Sequence, residues 1–202
     1  MKKTTRQQDN KTTRLLAFLF IILFQGSQLL AQGSQPLWMR YNAISPQGDK
    51  IAFAYKGDLY VVDAEGGQAR QITTNSSYDS KPIWSNDGKY IAFSTDRNAN
   101  FDIYIVSVDG GVAKRVTTNS TSEIPLAFSA DDSMIYYRAN IQRDADNAQF
   151  PAGWMRELYK VSVNGGRPQQ VVATNVCSIS FDSDNESFLY YDEKGGEDEW
   201  RK

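Results

Sequence analysis

The chain has 202 residues, of which 41% are hydrophobic and 23% are charged, and its formal net charge is −2. This composition is typical of globular proteins and excludes the collagen-like, disulfide-rich and fully disordered classes. The 22 basic and 24 acidic residues nearly balance, so no positive field favours nucleic acid as a partner. The chain has no histidine and one cysteine, Cys177, which excludes histidine-dependent nucleophiles, histidine metal sites and intrachain disulfides. We therefore expect no catalytic, cofactor-binding or metal-binding residue here.

The N-terminal segment has the pattern of a secretory signal peptide. Residues 1–14 carry five basic side chains and one acid, and an apolar run of ten residues, 15–24, follows. Ten residues are too few to cross a hydrocarbon core, which takes about 20. The small residue Ala31 then predicts cleavage between Ala31 and Gln32. We assign residues 1–31 to the signal peptide and expect an exported, periplasmic chain without a stable membrane span. An uncleaved N-terminal anchor is the alternative.

The rest of the chain is built from a repeat. A serine-led turn followed by an apolar strand, as in SNDGKYIAF, occurs four times and begins at Ser45, Ser85, Ser129 and Ser183. An aliphatic-tyrosine strand that ends in two glycines, as in IYIVSVDGG, occurs three times and begins at Leu59, Ile103 and Leu158. The segments QITTN, RVTTN and VVATN form a third recurring element. Three elements recurring in the same order predict a repeat architecture.

Each repeat has the pattern of four short strands. In the second repeat we predict strands at 81–85, 89–94, 102–108 and 112–117, with tight turns at Asn86-Asp87-Gly88 and Asp109-Gly110-Gly111. Four antiparallel strands every 40–45 residues or so are typical of β-propeller blades. Strands that are apolar on both faces fit blades stacked face to face. The predicted fold is therefore an all-β propeller, with a β-sandwich or a solenoid as alternatives.

The repeats are unequal, and the last one is partial. We divide residues 32–202 into blade 1 (38–75), blade 2 (81–119), blade 3 (124–175) and a partial blade 4 (176–202). Blade 3 carries an insertion of 16 residues, from Ile141 to Arg156, which is either a solvated loop or a ligand-facing flap. Propellers have about four to eight blades, so this propeller is incomplete. We expect either a fragment of a longer protein or self-association through the open blade faces.

The repeat phrases S-P-D-G-K, I-A-F, Asp-Gly-Gly and I-T-T resemble the TolB-like propeller repeats, which are four-stranded blades of the WD type. Three segments resemble exported tricorn protease homologues in particular: PLWMRYNAISPQGDKIAFAYKGDLYVV, AQFPAGWMRELYKVSVNGG and EKGGEDEW. The resemblance implies a non-catalytic propeller module of an exported serine peptidase that binds or gates peptide substrates. None of that family's catalytic residues has a counterpart in this chain. The alternative function is a periplasmic TolB-like propeller that docks envelope proteins.

Three other patterns are weaker candidates for chemistry. Asp182, Asp184 and Glu186 alternate like calcium ligands, but the glycine and the distal glutamate of a calcium loop are missing. Asn75 and Asn119 match the glycosylation acceptor pattern, but they occupy the same repeat position, which favours a turn role. The neighbouring acids 131 and 132 fall in a hairpin turn. We interpret Cys177 as a buried core residue rather than a reactive thiol.

Export is the first testable prediction. The charged region and the short apolar run predict that the exported chain begins at Gln32. N-terminal sequencing of the protein recovered from the cell envelope measures this directly. Recovery of the chain with intact Met1 from the cytoplasm would contradict the prediction.

Overall fold

The computed structural model describes residues 38–141, 156–182 and 187–191. The regular elements in these ranges are fourteen β-strands. No helix among the described residues is long and apolar enough to cross a membrane. The predicted signal cleavage at Ala31-Gln32 and most of the blade 3 insertion lie outside the described residues. The prediction of an all-β chain is confirmed.

The strands form three four-stranded sheets and one two-stranded sheet, each antiparallel and in sequence order. The first sheet contains β1 (Arg40–Ile44), β2 (Lys50–Tyr55), β3 (Asp58–Asp63) and β4 (Arg70–Gln71). The second contains β5 (Asp79–Trp84), β6 (Tyr90–Thr95), β7 (Asp102–Ser107) and β8 (Lys114–Arg115). The third contains β9 (Glu123–Phe128), β10 (Met134–Ala139), β11 (Glu157–Ser162) and β12 (Gln169–Val172). The fourth contains β13 (Ser178–Phe181) and β14 (Phe188–Tyr191).

The fourth strand of the second sheet is shorter than the sequence predicts, two residues instead of six. The cause is a side chain that replaces a backbone acceptor. Ile103 N donates a hydrogen bond to Thr117 Oγ1 at 2.8 Å, just after the last paired residue. In the first sheet Leu59 N donates to Thr73 Oγ1 at 2.9 Å in the same way. Because the threonine hydroxyl satisfies this amide, the chain can leave the strand ladder and cross to the next sheet.

The serine that opens each complete repeat closes the turn between its first two strands. The Oγ atoms of Ser45, Ser85 and Ser129 each accept the backbone N–H of the residue five positions later, at 2.9 Å. Each hydroxyl also donates to a carboxylate in its own turn. These bonds hold the pKa of the Asp87 and Asp131 carboxyls at about 2. The recurring serine is therefore a turn residue.

The sheets pack face to face, so the strands are apolar on both sides. One buried cluster joins the first and second sheets and includes Ala52, Leu59, Val61, Ile91, Phe93 and Val106. A second cluster joins the second and third sheets and includes Ala92, Ile103, Ile135, Tyr137 and Val161. Side chains alternate along a strand, so neighbouring residues of β6 serve different clusters. This confirms stacked, propeller-like blades.

The first strands of successive sheets lie side by side. β1 contacts β5, β5 contacts β9, and β9 contacts β13. We call the four strands β1, β5, β9 and β13 the inner edge, because this is the position of the innermost strands in a propeller. The described sheets form an open row rather than a closed ring. Large apolar side chains are exposed on the first and last sheets, at Ile44, Leu189 and Tyr191.

A carboxylate links the serine-led turns of the second and third sheets. Asp132 adopts φ +56°, the left-handed region that Gly48 and Gly88 occupy at the equivalent positions. Asn86 N donates to Asp132 Oδ1 at 2.7 Å, and Asp87 N donates to Asp132 Oδ2 at 2.9 Å. The acid that replaces the turn glycine thus satisfies two backbone amides of the neighbouring sheet.

We expect Asp132→Gly to destabilise the chain by about 1–2 kcal/mol. Glycine accepts the positive φ, but the two charge-assisted hydrogen bonds to the neighbouring turn are lost. Urea unfolding measures the change as a shift of the transition midpoint. The control is Asp109→Gly, which introduces a glycine at an exposed acid in another turn. Equal stability of the Asp132 and Asp109 variants would contradict a role for the bridging carboxylate.

Candidate functional site

Acids occupy the first position of several strands, at one end of the sheets. Asp58 and Asp102 begin β3 and β7, and Asp79 and Glu123 begin β5 and β9. We call these four residues the carboxyl row. Backbone hydrogen bonds join the starts of β5 and β9 to the loop after the second strand of the preceding sheet. Asp79 N donates to Gly57 O, and Glu123 N donates to Phe101 O, both at 2.7 Å.

A second recurring residue, 13 positions further on, pairs with the acid that begins the third strand of each sheet. Gln71 Nε2 donates to Asp58 at 3.0 Å, and Gln170 Nε2 donates to Glu157 at 2.8 Å. In the second sheet the partner is Arg115, whose guanidinium lies 2.7 Å from Asp102. The repeat thus preserves the geometry of this pair while the charge of the partner changes.

Asp79 has a different partner, Arg97, which lies in the loop after β6. The guanidinium of Arg97 lies 2.9 Å from Asp79 Oδ2, and the Asp79 side chain is fully buried. The same guanidinium packs over the rings of Phe93 and Tyr104, 5.5 and 5.0 Å from their centroids. A planar cation between an acid and two rings is held in one orientation. This arginine therefore fixes the loop against the second sheet.

Burial of the carboxyl row changes the protonation of its members. Burial raises the pKa of Asp58, and the nearby charge of Asp79 adds to the effect. Burial also raises the pKa of Asp102, although the ion pair with Arg115 opposes the shift. Among the described residues, only two of these four carboxyls, those of Asp79 and Asp102, form ion pairs with an arginine. Full ionisation would leave negative charge without a counterion in a low dielectric.

Glu123 shows the largest effect of this kind. Its carboxyl is 0% exposed, and burial raises its pKa to about 7. Oε1 accepts a hydrogen bond from Asn119 Nδ2 at 2.9 Å, and hydrogen bonding with Thr117 and Asn119 partly opposes the effect of burial on the pKa. Burial raises the pKa of the nearby Tyr137 hydroxyl, and the Glu123 charge raises it further. Burial thus favours neutral Glu123 at pH values below about 7.

Three of the four acids of the carboxyl row cannot meet a substrate in this arrangement. Asp79, Asp102 and Glu123 are all 0% exposed. A strongly shifted pKa marks either a functional site or a structural network of buried charges. Because solvent does not reach these acids, their chemistry is limited to holding adjacent sheets together. The row is thus a structural site at the interface between sheets.

The remaining candidate for binding is the inner edge, in which β1 is mostly exposed while β5 and β9 are partly buried. β1, β5 and β9 each pair with a partner strand on one side only, so their other backbone edges do not join a sheet. The pairing register shifts in each of the three, which is the mark of a β-bulge. Trp38 and Tyr41 lie exposed on or beside β1. An open strand edge beside exposed rings can accept an extended chain by strand addition.

The weaker sequence candidates have structural roles where they can be described. Asn75 Oδ1 accepts the Ser77 N–H, and Asn119 donates to Glu123, in keeping with a turn role. Asp184 and Glu186 lie outside the described residues. Within the ranges that the structure describes, no group of three or more acid, cysteine or histidine side chains could hold a metal ion. The interpretation of Cys177 as a buried core residue is wrong, because it is only half-buried at the start of a two-stranded sheet.

Sequence reasoning missed the carboxyl row, although a signal for it exists. Asp79 and Glu123 both stand six positions before a repeat serine, and Asp58 and Asp102 both begin the aliphatic-tyrosine strand. A charged residue at a fixed position of an apolar repeat indicates a buried, paired group. The 13-residue spacing to Gln71 or Arg115 would have identified the partner as well.

The sequence matches a family described as the tricorn protease N-terminal beta propeller domain over residues 36–202. The chain belongs to this family. The matched region covers the repeats, including the four strands of the inner edge. The tricorn-type propeller expected from the sequence is therefore confirmed.

Solved structures show the same fold for this tricorn-type propeller. TolB from Acinetobacter baumannii is 23% identical, with a TM-score of 0.58 over 77% of this chain and 38% of that chain. TolB from Agrobacterium tumefaciens is 22% identical, with a TM-score of 0.56 over 68% of this chain and 50% of that chain. An oligogalacturonate lyase also matches, at 12% identity and a TM-score of 0.58. This chain thus spans half or less of the length of these TolB proteins.

We expect Glu123→Gln to remove part of the pH dependence of stability. The Glu123 pKa is raised from 4.5 in the unfolded chain to about 7, so the folded state binds more protons between these values. Stability therefore falls as pH rises through this range, by about 3 kcal/mol for this group. The isosteric amide keeps the bond to Asn119 but does not titrate.

Urea unfolding at a series of pH values between 4.5 and 7 measures this difference. The control variant is Glu65→Gln, which removes an exposed carboxyl from a turn. The Glu65 variant should keep the pH dependence of the natural chain. A Glu123 variant with the same pH dependence as the natural chain would show that folding does not shift the Glu123 pKa.

Proposed function

We propose that this domain is the non-catalytic propeller module of an exported, tricorn-type serine peptidase and that it binds or gates peptide substrates. The observation that carries the proposal is the inner edge, where three strands present backbone edges that pair with no sheet. Family membership supports it, because the domain is named for a protease. A peptide in extended form can hydrogen-bond to such an edge whatever its sequence, which suits a module that handles many substrates.

The proposal assigns catalysis to another part of the peptidase. This chain has no histidine, so a serine or cysteine nucleophile here would lack its usual general base. Of the acids with raised pKa values, Asp102 and Glu123 are fully buried and cannot contact a substrate. The propeller would then select the peptides that reach the catalytic part and determine their orientation. Export to the periplasm, and self-association through the open faces of the first and last sheets, belong to the same proposal.

A pair of labelled peptides tests the binding step. One peptide has a mixed sequence, and its matched control has the same sequence with alternate backbone amides N-methylated. Fluorescence anisotropy with the purified chain should show binding of the first peptide and binding about tenfold weaker for the second, because methylation removes one or two edge hydrogen bonds. Mass spectrometry of the same mixtures should show both peptides intact.

Three results would contradict the proposal or part of it. Cleavage of the peptide that survives removal of trace proteases would overturn the non-catalytic role. Absence of peptide binding, together with capture of folded envelope proteins, would favour the alternative of a TolB-like docking propeller. Equal binding of the methylated and unmethylated peptides would exclude strand addition at the inner edge.

A further inference from the structure

The inner edge fully buries its acids but not its bases. Its four strands contain two acids, Asp79 and Glu123, and two bases, Arg40 and Lys81. Both acids are 0% exposed, whereas Arg40 is exposed and Lys81 is half-buried. A chain with a net charge of −2 therefore presents positive charge along these strands.

Both bases lie over aromatic rings on or beside β1. The Arg40 guanidinium is 5.6 Å from the centroid of the Trp38 ring, and Lys81 Nζ is 5.8 Å from that of Tyr41. Trp38 is 74% exposed and Tyr41 is 39% exposed. Cation–π contacts at these distances hold a charged group in place without neutralising it. The two bases thus keep their capacity to bind an anion.

The third sheet adds to the positive potential at Lys81. Partial burial lowers the pKa of Lys81, and the charges of Arg138 and Arg156 lower it further. Arg138 Nη1 also donates to Cys177 O at 3.1 Å, next to the inner strand β13. Like charges gathered at one end of the inner edge repel each other, and an incoming anion would relieve this repulsion.

The backbone at these residues is unusual as well. Trp38, Tyr41 and Lys81 have φ values of +76°, +54° and +53°, which L-residues rarely adopt. Tyr41 and Lys81 fall inside the register shifts of β1 and β5. Bulges of this kind re-aim side chains, and strained residues often cluster at binding sites. The strain therefore coincides with the exposed rings and bases.

We propose that the inner edge selects acidic, extended peptide segments, with Arg40 and Lys81 as anchors for side-chain carboxylates. Trp38 and Tyr41 provide apolar contact for the neighbouring residues of the segment. The inference rests on the proposed function, since it names the class of peptide that the same edge takes. Charge complementarity identifies the occupant: exposed bases on an acidic chain disfavour a basic segment and attract an acidic one.

Three labelled peptides of equal length test the selection: one of Glu and Ser, one of Gln and Ser, and one of Lys and Ser. Anisotropy with the full chain at low salt should show the Glu/Ser peptide binding about fivefold more tightly than the Gln/Ser peptide. The Lys/Ser peptide should bind most weakly. The advantage of the Glu/Ser peptide should disappear in the double variant Arg40→Gln/Lys81→Gln.

The matched control is Lys50→Gln/Lys89→Gln, which removes two positive charges from the serine-led turns at the other end of the strands. Each of these lysines pairs with an aspartate of its own turn. This variant should keep the preference for the Glu/Ser peptide. Thermal unfolding of both double variants confirms that each is folded, so a lost preference reports on the site.

The outcomes separate the two proposals. Equal binding of the Glu/Ser and Gln/Ser peptides, or a preference that survives in Arg40→Gln/Lys81→Gln, overturns the acidic selection and leaves peptide binding intact. Binding of none of the three peptides overturns peptide binding itself. Tighter binding of single-stranded oligothymidylate than of a Glu/Ser peptide of equal charge would overturn the assignment of a peptide partner.

Discussion

The packing of one sheet face against the next is the interaction on which the rest of the structure depends. Each four-stranded sheet is too small to form a core alone, and the two buried clusters both combine residues of adjacent sheets. Burying an aliphatic or aromatic side chain contributes about 1.5–3 kcal/mol, so each interface between sheets is a large part of the total stability. The turns, the threonine bonds and the bridging Asp132 all lie at the margins of these interfaces.

The carboxyl row shows how this packing constrains charge. Asp79 and Glu123 begin inner strands, yet both are buried at the interface with the preceding sheet. An ion pair or a raised pKa is then required, and the structure uses both, with Arg97 at Asp79 and the raised pKa of Glu123. The same arrangement leaves Arg40 and Lys81 as the charged groups that the inner edge exposes. The burial of Asp79 and Glu123 therefore affects both the stability of the sheet interfaces and the charge that the inner edge presents to solvent.

Most of the architecture could be predicted from the sequence, because it depends on residues that recur at fixed spacings along the chain. The serine anchors and the double glycines mark turns, and alternating apolar residues mark strands buried on both faces. The short fourth strands could not be predicted in this way, since they depend on Thr73 and Thr117 replacing backbone acceptors in three dimensions. The partial burial of Cys177 could not be predicted either, because it depends on how many strands surround this residue, and the local sequence does not determine that number.

The candidate sites were harder to predict than the fold. Recurring acids at strand starts are visible in the sequence, but only the register shows that Asp79 lies opposite Thr95, which lies opposite Asp102. The exposed bases depend on bulges and on positive φ values at Tyr41 and Lys81, which are not glycines. Nothing in the amino-acid pattern signals a left-handed tyrosine or lysine inside a strand.

The central claim is that the inner edge is the surface that receives a peptide. Hydrogen–deuterium exchange of the full chain, with and without the Glu/Ser peptide, tests it most directly. Strand addition protects backbone amides of the strands that receive the peptide. The account predicts added protection in residues 40–44 and 79–84 and none in the turns at 45–49 and 85–89. Protection confined to those turns, or spread evenly over all sheets, would contradict it.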